Sequence, residues 1–281
     1  MRLDVWDRPL DLGIGRTMRF RHERLFSRSA TWSLRLSVFS AVLLIYAVVL
    51  YRLGAVPAVA LFWLLGIGGL VALTGIAFAF LGFNDVWQRG DKGVARAAGG
   101  LLVAAIVLAP FAVSGYRAVV YPRLHDISTD VDDPPAFIAA AAQRTPSMNP
   151  IAPMSPEALA LQSAAYPDVT GRRYDGSPDG ILPAVMAVAE ARGWKVTATR
   201  GTPGQDDEIF VEALAHTRFL ALPVDVVIRL TDEGGTTYVD MRSSSRYIRH
   251  DFGDNAHRIT AFMSALDDEV QGAAAGTAAS Q

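Results

Sequence analysis

The sequence predicts an N-terminal three-helix transmembrane anchor plus a C-terminal α+β domain, a four-stranded antiparallel sheet covered by two helices. Three observations carry this reading. Uncharged runs of membrane-spanning length are confined to the first 116 residues, which hold 12 Lys/Arg against 6 Asp/Glu, whereas the rest hold 14 against 22. Beyond Gly193, four segments alternate apolar and polar residues with period two. A helical pattern stands on either side of those segments.

The first helix is expected over Ser33 to Tyr51, where Arg35 and Arg52 at the edges of a 16-residue uncharged run can snorkel to the headgroups. The second, Val56 to Phe80, lies in 32 uncharged residues between Arg52 and Asp85, and Pro57 opens it. The third, Val94 to Tyr116, contains Pro110, which neighbouring helices accommodate in a membrane. Gly68, Ala72, Gly75 and Ala79 in the second, and Ala97, Gly100 and Ala104 in the third, form small faces suited to close helix packing. With no ionisable residue in mid-span, the pattern describes an anchor rather than a conduction path.

Residues 1–32 form an Arg-rich segment, with Arg2, Arg8, Arg16, Arg19, Arg21, Arg24 and Arg28, and Arg35 follows just inside the first span. Arg89, Lys92 and Arg96 mark the second loop, and Arg52 alone the first. The positive-inside rule then places the N-terminus in the cytoplasm and, after three spans, the C-terminal domain outside. In a bacterial cell this is a multi-pass inner-membrane protein with a periplasmic domain. The basic N-terminus is interleaved with Asp4, Asp7, Asp11 and Glu23, so topology and anionic lipid explain it and nucleic acid does not.

Residues 117–176 are a Pro-rich lead-in, since nine of the 15 prolines fall between Pro122 and Pro178. The α+β core spans 177–271. It opens on Ser177 as N-cap with Pro178 in the first helical position, and Gly193 ends that helix. Strands are expected over Trp194 to Arg200, Glu208 to His216, Val224 to Thr231 and Thr236 to Arg246, the last two joined by a hairpin turn at Asp232 to Gly235. A final helix, about Phe252 to Val270, is capped by Asp251 with Asp254 three residues on. The small, polar 272–281 reads as a disordered tail.

The strand from Asp240 to Arg246 places Asp240, Arg242, Ser244 and Arg246 on one face, a row of donors suited to a small anionic ligand. Asn255 and Arg258 complete the expected surface. Set against it is the plainer outcome that these arginines pair with Asp225, Glu212 or Asp254 and bind nothing. His216, His250 and His257 lack a metal-binding signature, and Asp130, Asp132 and Asp133 before Pro134 fit a turn better than a cation loop. No metal and no cofactor is therefore expected. The absence of cysteine excludes disulfides, thiolate metal sites and a cysteine nucleophile, and no phosphate-binding glycine motif occurs. Ser243 to Ser245 with His250 and Asp251 supply the residue types of a hydrolytic triad without its nucleophile elbow.

Val239-Asp240-Met241-Arg242-Ser243-Ser244-Ser245-Arg246, continuing through Asp251-Phe252-Gly253-Asp254-Asn255 to Arg258-Ile259, resembles the signature end of the family catalogued as domain of unknown function 1499. The segment from Leu124 to Phe137 resembles the lead-in of its membrane-anchored bacterial members. Ile248 stands where the family has glycine, and the cysteine-containing N-terminal segment of other members is missing. The resemblance implies a domain running from about Pro122 to Val270 and transfers no catalytic residue. Three functions are consistent with these residues: a ligand- or protein-binding accessory domain with a small anion or an envelope protein as partner, a membrane-anchored serine-type hydrolase, or a structural spacer of an envelope complex.

Overall fold

A computed structural model describes residues 25–279 of the chain; the arginines from Arg2 to Arg24 lie outside them. Three helices, α1 (Arg28–Arg52), α2 (Ala58–Arg89) and α3 (Val94–Val120), are long and apolar enough to cross a membrane. The expected small faces are buried between them, and α1 answers with Ser33, Ser37 and Ser40. A side chain on Gly100 would collide with the Ser33 hydroxyl and one on Gly75 with the Ser37 hydroxyl, so glycine sets the helix spacing. Ser40 Oγ donates to the Gly68 carbonyl at 2.7 Å, satisfying a hydroxyl that lipid could not.

At one end of this bundle Ser27 caps α1, accepting from Ala30 N, and donates to Asp85 at 2.8 Å. Phe26 bridges to Lys92, and Arg96 lies 4.6 Å from the Phe26 ring centre. The second Arg/Lys-rich loop and the start of α1 are thus one structural unit. The folded domain sits at the opposite end, beside Arg52.

The lead-in is more structured than its prolines suggest. It holds β1 (Asp126–Ser128), the single turn α4 (Ala140–Gln143), α5 (Pro156–Ala165) and β2 (Arg172–Asp175). Next come α6 (Pro178–Ala191), β3 (Lys195–Arg200), β4 (Glu208–His216), β5 (Pro223–Asp232), β6 (Thr236–Ser245) and α7 (Asp254–Ala279). The sheet is antiparallel in the order β1-β6-β5-β4-β3, with β2 also on β6. It therefore has six strands and not the four expected from alternation. The two additional strands, of three and four residues, are too short to show a period and lie among prolines. They share the outer edge of β6 in tandem, β1 opposite Arg242 to Ser244 and β2 opposite Thr236 to Val239. The buried Gln162 of α5 then clamps β1, its amide donating to Ser128 O at 2.6 Å and accepting from Ser128 N at 3.2 Å.

One sheet face is apolar. Val211, Ile228 and Met241 belong to a single cluster with Val185 and Val188 of α6 and Ile259, Phe262 and Leu266 of α7, and Trp194 stacks on Phe262 at 5.3 Å. Ser177 is the N-cap of α6 and Gly193 follows it in a left-handed conformation, as the sequence pattern requires. Asp251 accepts from Gly253 N and Asn255 N ahead of α7. Phe252 and Gly253 carry positive φ, so the helix starts at Asp254 rather than Phe252. It continues past the last apolar contact at Val270 to Ala279, across most of the segment expected to be disordered, where consecutive alanines favour helix.

Candidate functional site

Strand alternation sends Asp225, Arg229, Asp240, Arg242, Ser244 and Arg246 to the other sheet face. This face is not open to solvent: the lead-in lies over it and supplies partners. Arg242 donates Nε and Nη2 to the two carboxylate oxygens of Asp126, each at 2.9 Å, and Nη2 also reaches Ala152 O. Arg246 grips Asp225 at 2.7 Å, and Arg144 binds the same carboxylate at 2.8 Å while donating to Ser244 O. Arg229 pairs with Asp240 at 2.9 and 3.0 Å and with Asp133 at 2.7 Å. The buried Glu212 accepts the backbone N–H groups of Ile138 and Ala139. Four arginines thus pair with Asp126, Asp133, Asp225 and Asp240 within one packed layer.

The electrostatics follow from that layer. Burial raises the Asp240 carboxyl to about 6 against the pull of Arg229, and Asp130 and Asp133 push it the same way. Burial holds His125 and His216 below the ordinary histidine range; Arg246 reinforces the effect on His216. Neutral imidazoles therefore border the arginines.

The five residues expected to form one binding surface occupy two. Arg242, Ser244 and Arg246 face the lead-in, whereas Asn255 and Arg258 lie on the α7 side. There Ser243 Oγ donates to Asn255 Oδ1 at 2.9 Å, Arg258 Nη1 donates to both, and Asn255 Nδ2 reaches His125 O and Ser245 Oγ. Burial lowers the Arg258 pKa, with Asp254 and Asp251 opposing. Ser244 Oγ is buried with no hydrogen-bond partner among the described residues.

Among the described residues the serine run makes no nucleophile–base pair. Ser243 and Ser245 are engaged by Asn255, while His250 lies against Phe252 at 4.8 Å with its Nε2 buried and unpartnered. Among the described residues no three His, Asp or Glu side chains gather as a metal ion would need. Asp130 accepts from the backbone of Asp132 and Asp133, the turn that precedes Pro134.

What the face does offer is a cleft of about 430 Å³ between residues 131–137 and 151–159. Phe137, Ile151, Pro153, Met154 and Leu159 wall it, Asp132 stands at its rim, and Arg242 is in its lining. The Arg242 guanidinium lies 5.3 Å from the Phe137 ring centre, and its third nitrogen, Nη1, donates to no described residue. A half-open cleft with apolar walls and an unused donor in its lining suits a small ligand. Of its lining, Arg242 stood out in the sequence as a ligand donor and Asp132 only as part of a turn; the remaining signal was the apolar residues set among the prolines at 134–137 and 151–154. A wider depression of about 630 Å³ beside Asp206, Asp207 and Glu208 is shallow and polar, and its Arg200 is spent on the Phe210 ring at 4.0 Å.

A family model described as "Protein of unknown function (DUF1499)" matches residues 126–266, from the first residue of β1 into α7. No curated protein and no solved structure matches the chain.

Proposed function

The chain belongs to the DUF1499 family of proteins of unknown function, and on that premise we propose that it is a membrane-anchored binding or accessory protein. Its C-terminal domain lies on the periplasmic side of a bacterial inner membrane. The charge asymmetry supports that orientation: Arg28, Arg89, Lys92 and Arg96 gather at the end of the bundle away from the domain, with six further arginines before them in the sequence, and outnumber Arg52, Arg117 and Arg123 at the domain end.

The observation that carries the binding role is the Arg242 cleft. Its ligand has an apolar body, matching the Phe137, Ile151, Met154 and Leu159 walls, and a terminal oxygen, as carboxylate, phosphate ester or carbonyl, on Arg242 Nη1. Arg242 shares its charge with Asp126, so a single oxygen acceptor suffices and a multiply charged anion is disfavoured. An apolar segment of an envelope protein ending in such a group fills the same space.

Native mass spectrometry of the full chain, purified gently from its own membrane, tests this. The expected result is a reproducible adduct that Ala152→Trp removes, because that exposed rim position fills the cleft while leaving the Asp126 pair intact. An adduct retained in Ala152→Trp, or a bare wild-type protein that also cross-links to nothing in the native membrane, would remove the cleft as the binding site.

A further inference from the structure

The turn between β4 and β5, residues 217–222, makes a contact that the sheet does not need. Leu220 and Leu222 pack in one cluster with Ala47, Val48 and Tyr51 of α1 and Ala58, Phe62 and Leu65 of α2. Ala47 is five residues back from Arg52, the last residue of α1, which at 1.5 Å per residue puts it roughly 7 Å below the helix end. The turn therefore packs against the domain-side ends of α1 and α2, where their residues are apolar. Tyr247 meets Phe62 edge-on at 6.3 Å and fixes the same approach.

We propose that this turn is seated in the bilayer that holds α1, α2 and α3, with Phe219 entering the lipid just below the headgroups. Phe219 is 81% exposed at the tip, an aromatic ring left in water if the domain stood clear of the membrane. Leu53, 75% exposed at the end of α1, and Ile248 are further bare apolar side chains at this end of the molecule.

Backbone chemistry supports the placement. A turn set just below the headgroups gains from having part of its backbone satisfied by protein. Here Thr217 N donates to Leu222 O, Ala221 N to Thr217 O and Leu222 N to Thr217 Oγ1. Arg52 Nη2 supplies donors to the carbonyls of Arg218 and Phe219 at 3.2 and 2.8 Å. Arg218, exposed beside Phe219, is placed to turn its guanidinium up to lipid phosphates. Ala221 takes a positive φ of 56°, a strained conformation held by these bonds. The domain then rests on the membrane through a second attachment besides its covalent link to α3.

The chain has no cysteine, so single-cysteine nitroxide labels can be placed without altering it. Full-length Phe219→Cys, one chain per nanodisc of phosphatidylethanolamine and phosphatidylglycerol, is read by collision with oxygen and with a water-soluble nickel chelate. Tyr46→Cys in α1 and Gln205→Cys on the exposed β3–β4 connection are the lipid and water references. The proposal rests on α1 being a membrane span, which the Tyr46 label reports separately. Expected is a Phe219 label more accessible to oxygen than to nickel, resembling Tyr46, with an Arg218→Cys label shallower. A Phe219 label as nickel-accessible as Gln205 overturns the proposal while Tyr46 remains lipid-like, and so does a label shielded from both reagents, which marks a protein contact.

Discussion

Arg242 of β6 and Asp126 of β1 form a two-pronged ion pair, Nε and Nη2 each 2.9 Å from a carboxylate oxygen, with side chains only 8% and 7% exposed. The pair joins β1, the first strand after the membrane, to its neighbour β6 and lies beside the proposed cleft. Removing either partner strands the other charge in the layer between sheet and lead-in. Asp126→Ala and Arg242→Ala should each destabilise the domain by about 3–5 kcal/mol. Combined with Asp126→Leu, Arg242→Met should recover much of that loss. Thermal unfolding in one detergent of wild type, Asp126→Leu, Arg242→Met and their combination, read as a double-mutant cycle, checks it; additive losses would show the two side chains act independently.

Asp240 gives a pH dependence of known sign. Burial holds its carboxyl at about 6 in the folded domain, above the ordinary aspartate value. Between roughly pH 4 and 6 the folded state therefore binds a proton that the unfolded chain releases. Its contribution to stability is fully present below about pH 4, is lost as pH rises through 6 and is flat above that. Relative to Asp240→Asn, the wild-type domain should lose several degrees of melting temperature between pH 4 and 6 and no more up to pH 8. Parallel curves for the two proteins over pH 4–6 would contradict this.

Much of this architecture was legible because its signals are local. Alternation in β4, β5 and β6 located those strands to within a residue or two, Ser177 and Gly193 bounded α6, and uncharged length found α1 to α3. The fate of the polar face was legible only in part: pairing with Asp225, weighed against a ligand surface, is what Arg246 makes, whereas the partners from the lead-in were hidden. Asp225, Arg229, Asp240, Arg242 and Arg246 alternate as a solvent face would, and their partners Asp126, Asp133 and Arg144 lie 81 to 116 residues away in a proline-rich segment without period. The same non-local pairing hid β1, β2 and the cleft. Arginine and aspartate mixed on one strand face are as compatible with a buried ion-pair layer as with a ligand surface, and only tertiary contact separates the two.

Glycine spacing in the membrane bundle predicts a steep size limit. Gly100 of α3 faces Ser33 of α1 so closely that any side chain forces the helices apart. Gly100→Val should cost about 1–3 kcal/mol through that displacement, whereas Gly66→Val, with open space around it, should cost far less. Unfolding by increasing SDS fraction, followed by helical ellipticity, compares them. Equal losses would mean that helix propensity, and not the α1–α3 contact, governs both sites.

Ile248 offers a substitution expected to stabilise the protein. It stands where the family resemblance placed glycine, and it has a positive φ of 65°, so the chain keeps a glycine-type turn with a β-branched residue in it. Holding an L-residue there costs roughly 1–2 kcal/mol, while glycine adds back part of that as unfolded-chain entropy. The turn is fixed from elsewhere, because Asn149 Nδ2 donates to the Ile248 and Ser245 carbonyls at 3.0 and 2.9 Å. Ile248→Gly should therefore raise stability by about 1 kcal/mol. Asn149→Ala, which frees both carbonyls, should lower it by at least as much. Melting temperatures of the two variants decide the matter: a glycine variant less stable than wild type would show that packing of the half-exposed isoleucine outweighs its backbone strain.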